Sequence, residues 1–340
     1  MANAGMKKAL FFSFLSVTIV LLAVLGLDAY GIGHLARRVE SSVPELAAKG
    51  WHLSWRAESR QWRPWGSKLI LSGVSLHDNQ GHGWIGQSLS LGLDPFHPSD
   101  VILRFSGPQL LRVSSAIDLT TGEATGRFSP GSNTLFLRTP LVTASALPVT
   151  EIESVILRDV TIRVVPGLDA ENPVPAWGID LHAGSASPQF RGSIASESGA
   201  MAHLAALMPL MPPPRDLHVA IAALRPRKAS LGISGPYERY LIQDAAITLG
   251  PLSCVARGTL GSDGAGTLWA HLSGLQGFTR YWIARAPEIL RALPASAPFL
   301  HSLDEQSARI PDQFDLPVPV GGDDILLQNH FSTIITGHSR

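Results

Sequence analysis

The chain has 340 residues, with 27 basic and 27 acidic side chains and 16% charged residues. That balance excludes the electrostatic footprint of a nucleic-acid-binding protein and any polybasic lipid-binding run. Its 32 glycines and 25 prolines, scattered among abundant Leu, Ala, Ile and Val, suit many short strands joined by turns. The single Cys254 cannot close an internal disulfide, and its place in the alternation Leu252, Cys254, Ala256 reads as a small buried hydrophobe rather than a reactive thiol.

The first element is the uncharged run Ala9 to Leu27, introduced by Lys7 and Lys8 and closed by Asp28. A helix of nineteen residues at about 1.5 Å per residue just crosses a hydrocarbon core of about 30 Å. A cleaved secretory signal is the competing reading. The run exceeds the usual signal length, though, and Val24-Leu25-Gly26 and Leu27-Asp28-Ala29 are mediocre cleavage sites. The favoured organisation is a short cytoplasmic tail at 1–8, an anchor at 9–27 and an exported body, because long following domains translocate largely regardless of flanking charge. This places a single-pass protein in the inner membrane with its body in the periplasm.

Ile32, Leu35, Ala36, Val39, Val43, Leu46 and Ala47 fall on one helical face. Ser42 and Glu45 have the spacing of a capping box, Pro44 falls in the first turn that follows it, and Gly50 ends the run. Residues 28–50 are therefore read as a helical stalk in two pieces, or as a helix packed on the body's sheet.

From Trp51 the period becomes two. Leu69 and Leu71, then Val74 and Leu76, alternate with polar residues across a phase slip at Ser72-Gly73 that suggests a bulge. Further strands are predicted at 89–93, 101–105, 134–138, 155–164, 179–182, 217–221, 231–234, 245–249, 252–260 and 267–272. Nearly every connection carries Gly, Pro, Asn or Asp. The fold class is mainly β, an antiparallel meander of curved sheets forming an open groove or a sandwich, with one or two docked helices.

Met201 to Leu210 reads as a short helix stopped by Pro212-Pro213-Pro214, giving β-rich halves at 51–210 and 215–340. Phe278, Trp282, Ile283, Ile289, Leu290 and Leu293 outline a second helix near 278–293, kinked at Pro287, docked on the sheet or touching a membrane surface. Pro311 to Pro319 reads as an extended segment along a sheet edge, with a closing hairpin at 325–335. Leu69 to Leu76 is also similar to Val155 to Ile162, through chance likeness between strands or through repeated units.

The anchor, the helix ending in Ala47-Ala48-Lys49-Gly50-Trp51, and the strand Leu69 to Leu76 precede Ala245-Ala246-Ile247-Thr248-Leu249-Gly250-Pro251-Leu252 and Ala256-Arg257-Gly258-Thr259-Leu260-Gly261-Ser262-Asp263-Gly264. Together these resemble an alphaproteobacterial envelope family, domain of unknown function 2125. Trp62-Arg63-Pro64-Trp65-Gly66 departs from the Gly, aromatic and Pro succession expected there. More distantly the pattern resembles envelope proteins of the AsmA and TamB type, whose curved sheets are thought to enclose lipid. The resemblance supplies no catalytic residues.

The chemistry search is lean. His77, Asp78 and His82 form the best histidine cluster, but no further ligands stand at metal-site spacing, so a solvated hairpin tip is favoured. Asp323-Asp324 reads as a turn. No G-x-S-x-G, P-loop or H-E-x-x-H motif occurs. The expectation is a non-enzyme without metal or cofactor, a hydrolase being the third-ranked reading. Trp51, Trp55, Trp62 and Trp65 are core residues, bilayer-interface aromatics or a binding platform. The leading functional expectation is a membrane-anchored protein sheltering lipid in a groove lined by Leu69, Leu71, Leu89, Leu91, Val101, Leu103, Val155 and Leu157. Its rival is a scaffold that binds other envelope proteins through sheet edges.

Overall fold

The computed structural model of the chain describes residues 31–48, 50–61, 66–79, 81–94, 97, 99–114, 117–145, 152–166, 175–190, 210–224, 239–261, 265–292 and 294–320. The apolar run 9–27, Trp62, Trp65, the predicted strand at 231–234, residues 201–209 of the predicted helix, and Asp323-Asp324 with the terminal hairpin lie outside them. Among the described residues no helix is long and apolar enough to cross a membrane. The protein is mainly β, and every recorded strand pairing is antiparallel. The chain divides into two units, Met1–Thr139 and Pro140–Arg340.

In the first unit, helix α1 (residues 31–48) precedes eight strands: β1 (Trp51–Ser54), β2 (Ala57–Gln61), β3 (Lys68–Asp78), β4 (Gly83–Leu93), β5 (Val101–Ser114), β6 (Ile117–Thr121), β7 (Ala124–Ser129) and β8 (Thr134–Ser145), the last running past the unit's end. The order is β1-β3-β4-β5-β6-β8, with β2 on β3 and β7 pairing β5 and β8. β1 and β2 face β3 in one register, broken at Trp55-Arg56 opposite Gly73, and the Arg56 N–H donates to the Ser72 carbonyl at 2.8 Å. Gly73 has φ +61°. The phase slip read from the sequence is therefore a left-handed residue inside a continuous strand, and it returns Val74 to the side of Leu69 and Leu71, all three being at most 2% exposed.

α1 covers that face. Ile32 and Ala36, each 1% exposed, sit among Leu69, Leu71, Val74 and Leu91, and Leu35, Val39, Leu53, Trp55, Trp84, Leu89, Val101 and Leu103 pack around them. Of the two readings of this helix, the docked one holds. Nor is it in two pieces, since the helix runs unbroken through Pro44. Ser42 donates its hydroxyl to the Val39 carbonyl at 2.7 Å, which is a back-bond within a helix and not an N-cap.

The second unit is a meander in chain order: β9 (Ile152–Pro166), β10 (Pro175–Phe190), β11 (Pro214–Leu224), β12 (Arg239–Leu249), β13 (Leu252–Gly261), β14 (Gly266–Ser273) and β15 (Gln313–Val320). The observed strands outrun the predicted ones; at β11 the left-handed Asp216 (φ +50°) breaks the alternation just before the predicted start without ending the pairing, which continues to Arg215. Among the described residues β15 is an edge strand, and Pro317 and Pro319 share one parity along it. Their missing N–H groups therefore fall on the side away from β14.

Between β14 and β15 lie α2 (Leu275–Ala284), α3 (Ala286–Ala292) and α4 (Ala297–Gln306). The helix expected near 278–293 is two helices parted at Arg285, two residues before Pro287. Among the described residues their recorded contacts with the rest of the unit include the β12–β13 turn and Leu210. Gly277 faces Pro251, and the Tyr281 hydroxyl and the Arg285 guanidinium both donate to the Leu210 carbonyl.

Candidate functional site

Register alone sorts the two faces of the second unit. One ladder row reads Ile162, Leu181, Val219, Ala245, Ala256, Ala270 and Leu316 across its seven strands. Another row reads Val164, Ile179, Ile221, Ile242, Gly258, Leu268 and Val318. Neither contains a polar side chain. Ile242 and Ala270 are buried, while most of the others are half-buried. Cys254 shares this face between Ile247 and Leu272, and burial pushes its thiol pKa up, away from the reactive thiolate.

The rows between these two belong to the opposite face. Arg163, Asp180, Ala220 and Asp244 are successive cross-strand partners on β9 to β12, and Arg257, Trp269 and Pro317 continue across β13 to β15. Asp244 and Arg257 join the two series, with Oδ1 3.4 Å from Nε. Beside them run Val165, Gly178, Ala222, Leu241, Thr259 and Thr267. Two cavities open on these residues. One of about 450 Å³ lies against Arg163, Asp180, His218 and Asp244, and one of about 490 Å³ against Arg239, Leu241, Thr259, Thr267 and Trp269.

His218 meets two carboxylates on that face. Its Nε2–H donates to Asp180 Oδ1 at 2.8 Å and its Nδ1–H to Asp244 Oδ2 at 3.1 Å. Donation from both ring nitrogens requires the imidazolium. Burial lowers the His218 pKa, but hydrogen bonds to Asp180 and Asp244, with the charges of both carboxylates, outweigh it and hold the pKa above the ordinary value of 6.5. No group of three or more His, Cys, Asp or Glu with metal-binding geometry occurs among the described residues.

The groove expected from the sequence is not assembled as expected. Leu69, Leu71 and Leu91 are buried beneath α1, and Leu89, Val101 and Leu103 pack against the same cluster. The surface they make is filled by the chain's own helix. Val155 and Leu157 belong to the second unit, opposite Pro188 and Ala186. Trp51 is half-buried opposite Asp78, and Trp55 packs on the α1 cluster. His77, Asp78 and His82 form the β3–β4 turn, where Asp78 accepts from the His82 backbone N–H at 2.9 Å and pairs with its ring at 3.2 Å. Sequence reasoning missed His218, which lies inside a predicted strand and meets carboxylates 38 and 26 residues away. Asp180 and exposed Trp269, each inside a predicted strand, and Asp244, one residue before the strand predicted at 245–249, were missed for the same reason.

No curated protein and no solved structure matches the chain. A family model described as an uncharacterized protein conserved in bacteria (DUF2125) matches residues 29–275, and the chain belongs to that family.

Proposed function

We propose that the protein is a membrane-anchored envelope protein whose second unit shelters an acyl chain or lipid against its apolar sheet face. The observation that carries this reading is the contrast between the two units. In the first, α1 covers the apolar face of β3 to β5. In the second, two wholly apolar rows cross seven strands with most of their side chains only half-buried, and the recorded contacts of the described helices fall at the β12–β13 turn and at Leu210. Burying a guest there gains about 0.8 kcal/mol per CH₂ with no head-group site. The distant likeness to AsmA- and TamB-type proteins agrees with that use, and Ala9 to Leu27 supplies the tether to an inner membrane, with the body in the periplasm. The scaffold alternative is weakened on one side, because Pro317 and Pro319 blunt the β15 edge.

The test is lipid mass spectrometry on full-length protein purified in a mild neutral detergent. Co-purifying lipid in wild type, depleted in Val219→Asp or Leu181→Asp with retained far-ultraviolet dichroism, is the expected result. A wild type that is reproducibly empty overturns the reading.

A further inference from the structure

We propose that the polar face of the second unit carries a second binding site, a strip crossing the strands that holds a β-1,4-linked pyranose chain. This face is opposite the apolar one, so the proposal stands independently of lipid sheltering.

Length and composition argue for it. The strip spans β9 to β15, six inter-strand steps of about 4.8 Å each. It is therefore an elongated track rather than a pocket for a compact ligand. Its floor holds mostly small or thin side chains, Val165, Gly178, Ala222, Thr259 and Thr267, with Leu241 the one larger residue among them, so an extended chain can lie close to the backbone on either side of Leu241. Its rail alternates acceptors and donors, with Asp180 and Asp244 accepting and Arg163, His218 and Arg257 donating. Sugar hydroxyls are both donor and acceptor, and a mixed rail satisfies them. A nucleic-acid strand would instead meet the two carboxylates with its phosphates.

Trp269 gives the track its anchor. It is 61% exposed, the largest exposure of any large hydrophobic side chain described. Its cross-strand neighbours are Arg257, 70% exposed at its side chain, and Pro317, and it borders the cavity shared with Arg239, Thr259 and Thr267. The electron-rich face of an indole takes the polarised C–H face of a pyranose, as it takes the positive edge of another ring. An elongated track suits the extended ribbon of a β-1,4 linkage better than the coil of an α-linked glucan.

Titration calorimetry of cellohexaose and chitohexaose against the full-length protein in neutral detergent tests the site, the pair separating plain from N-acetylated rings. At least one hexasaccharide should bind. Trp269→Ala should weaken it about tenfold, with dichroism and melting temperature retained, and Trp269→Phe should restore most of the affinity. Asp180→Asn should weaken binding without unfolding the protein. The proposal is overturned if neither sugar binds, or if Trp269→Ala binds as tightly as wild type. It is also overturned if binding is lost in Val219→Asp but kept in Trp269→Ala, which would put the ligand on the apolar face.

Discussion

Gly73 and Asp159 hold the same backbone conformation at the same point of similar strands. Their φ angles are +61° and +53°, and each is followed by a valine, Val74 or Val160, that is 1% exposed. Leu69 to Leu76 and Val155 to Ile162 thus share a device as well as an apolar pattern: one left-handed residue returns the next side chain to the buried face. Each position also lies opposite a β-neighbour, Gln87 or Gly184, that the regular ladder skips.

A left-handed residue with a Cβ carries a cost that glycine avoids. Gly73→Ala should therefore destabilise the protein by about 1–2 kcal/mol, all the more because the new Cβ would lie 3.2 Å from that of Arg56. Asp159→Gly should be neutral or stabilising. The denaturant midpoint should fall in Gly73→Ala and hold or rise in Asp159→Gly; equal destabilisation by both would refute the equivalence.

The docking of α1 predicts a core penalty. Ile32 is 1% exposed in the cluster with Leu69 and Leu71, so Ile32→Ala should cost about 2–4 kcal/mol and speed amide exchange in β3. On a free stalk the same substitution would leave both unchanged.

Much of this fold was legible because a strand with one apolar face writes its period into the chain. Leu69 to Leu76, Val155 to Val164 and Leu252 to Leu260 all lie in observed strands. β6 and β7 escaped because Thr120-Thr121-Gly122-Glu123-Ala124-Thr125-Gly126 has no such alternation, and their pairing comes from neighbours. The apolar face of α1 was plain while its partner was not, since a 3.6-residue period states that a face must be buried and never against what. The polar strip was least visible. Arg163, Asp180 and Asp244 become neighbours only through register, and β12 reaches that register by slipping one residue between Ile242 and Ala245.

Gln109 is a buried polar residue whose removal should be felt across β4 and β5. It is 5% exposed, accepts from Trp84 Nε1–H at 3.0 Å, and donates to the Ser106 and Gly107 carbonyls at 3.1 and 3.0 Å. Gln109→Leu leaves those groups unpaired and should cost about 1–3 kcal/mol. Gly86→Ala should disturb the same bond, because a Cβ there would run into the Trp84 ring and the Gln109 amide. Urea unfolding followed by tryptophan fluorescence and far-ultraviolet dichroism reads both.

His218 makes the pH dependence of the second unit predictable in sign. The groups facing it are Arg163 and Asp180 from β9 and β10, its cross-strand partner His182, and Asp244 and Arg257 from β12 and β13. Its folded pKa is raised above 6.5. Below the unfolded value both states bind the proton and the imidazolium–carboxylate pairs contribute fully. As pH rises through the folded pKa the proton is lost and the contribution goes with it. At this half-exposed site each pair is worth about 0.2–1 kcal/mol, and salt reduces it. The stability gap between wild type and His218→Asn should therefore be largest near pH ~5.5 and shrink toward pH ~8.5, with a smaller span in high salt. A gap that is constant or widens with pH would mean that His218 is neutral in the folded protein, and that one ring nitrogen accepts instead of donating.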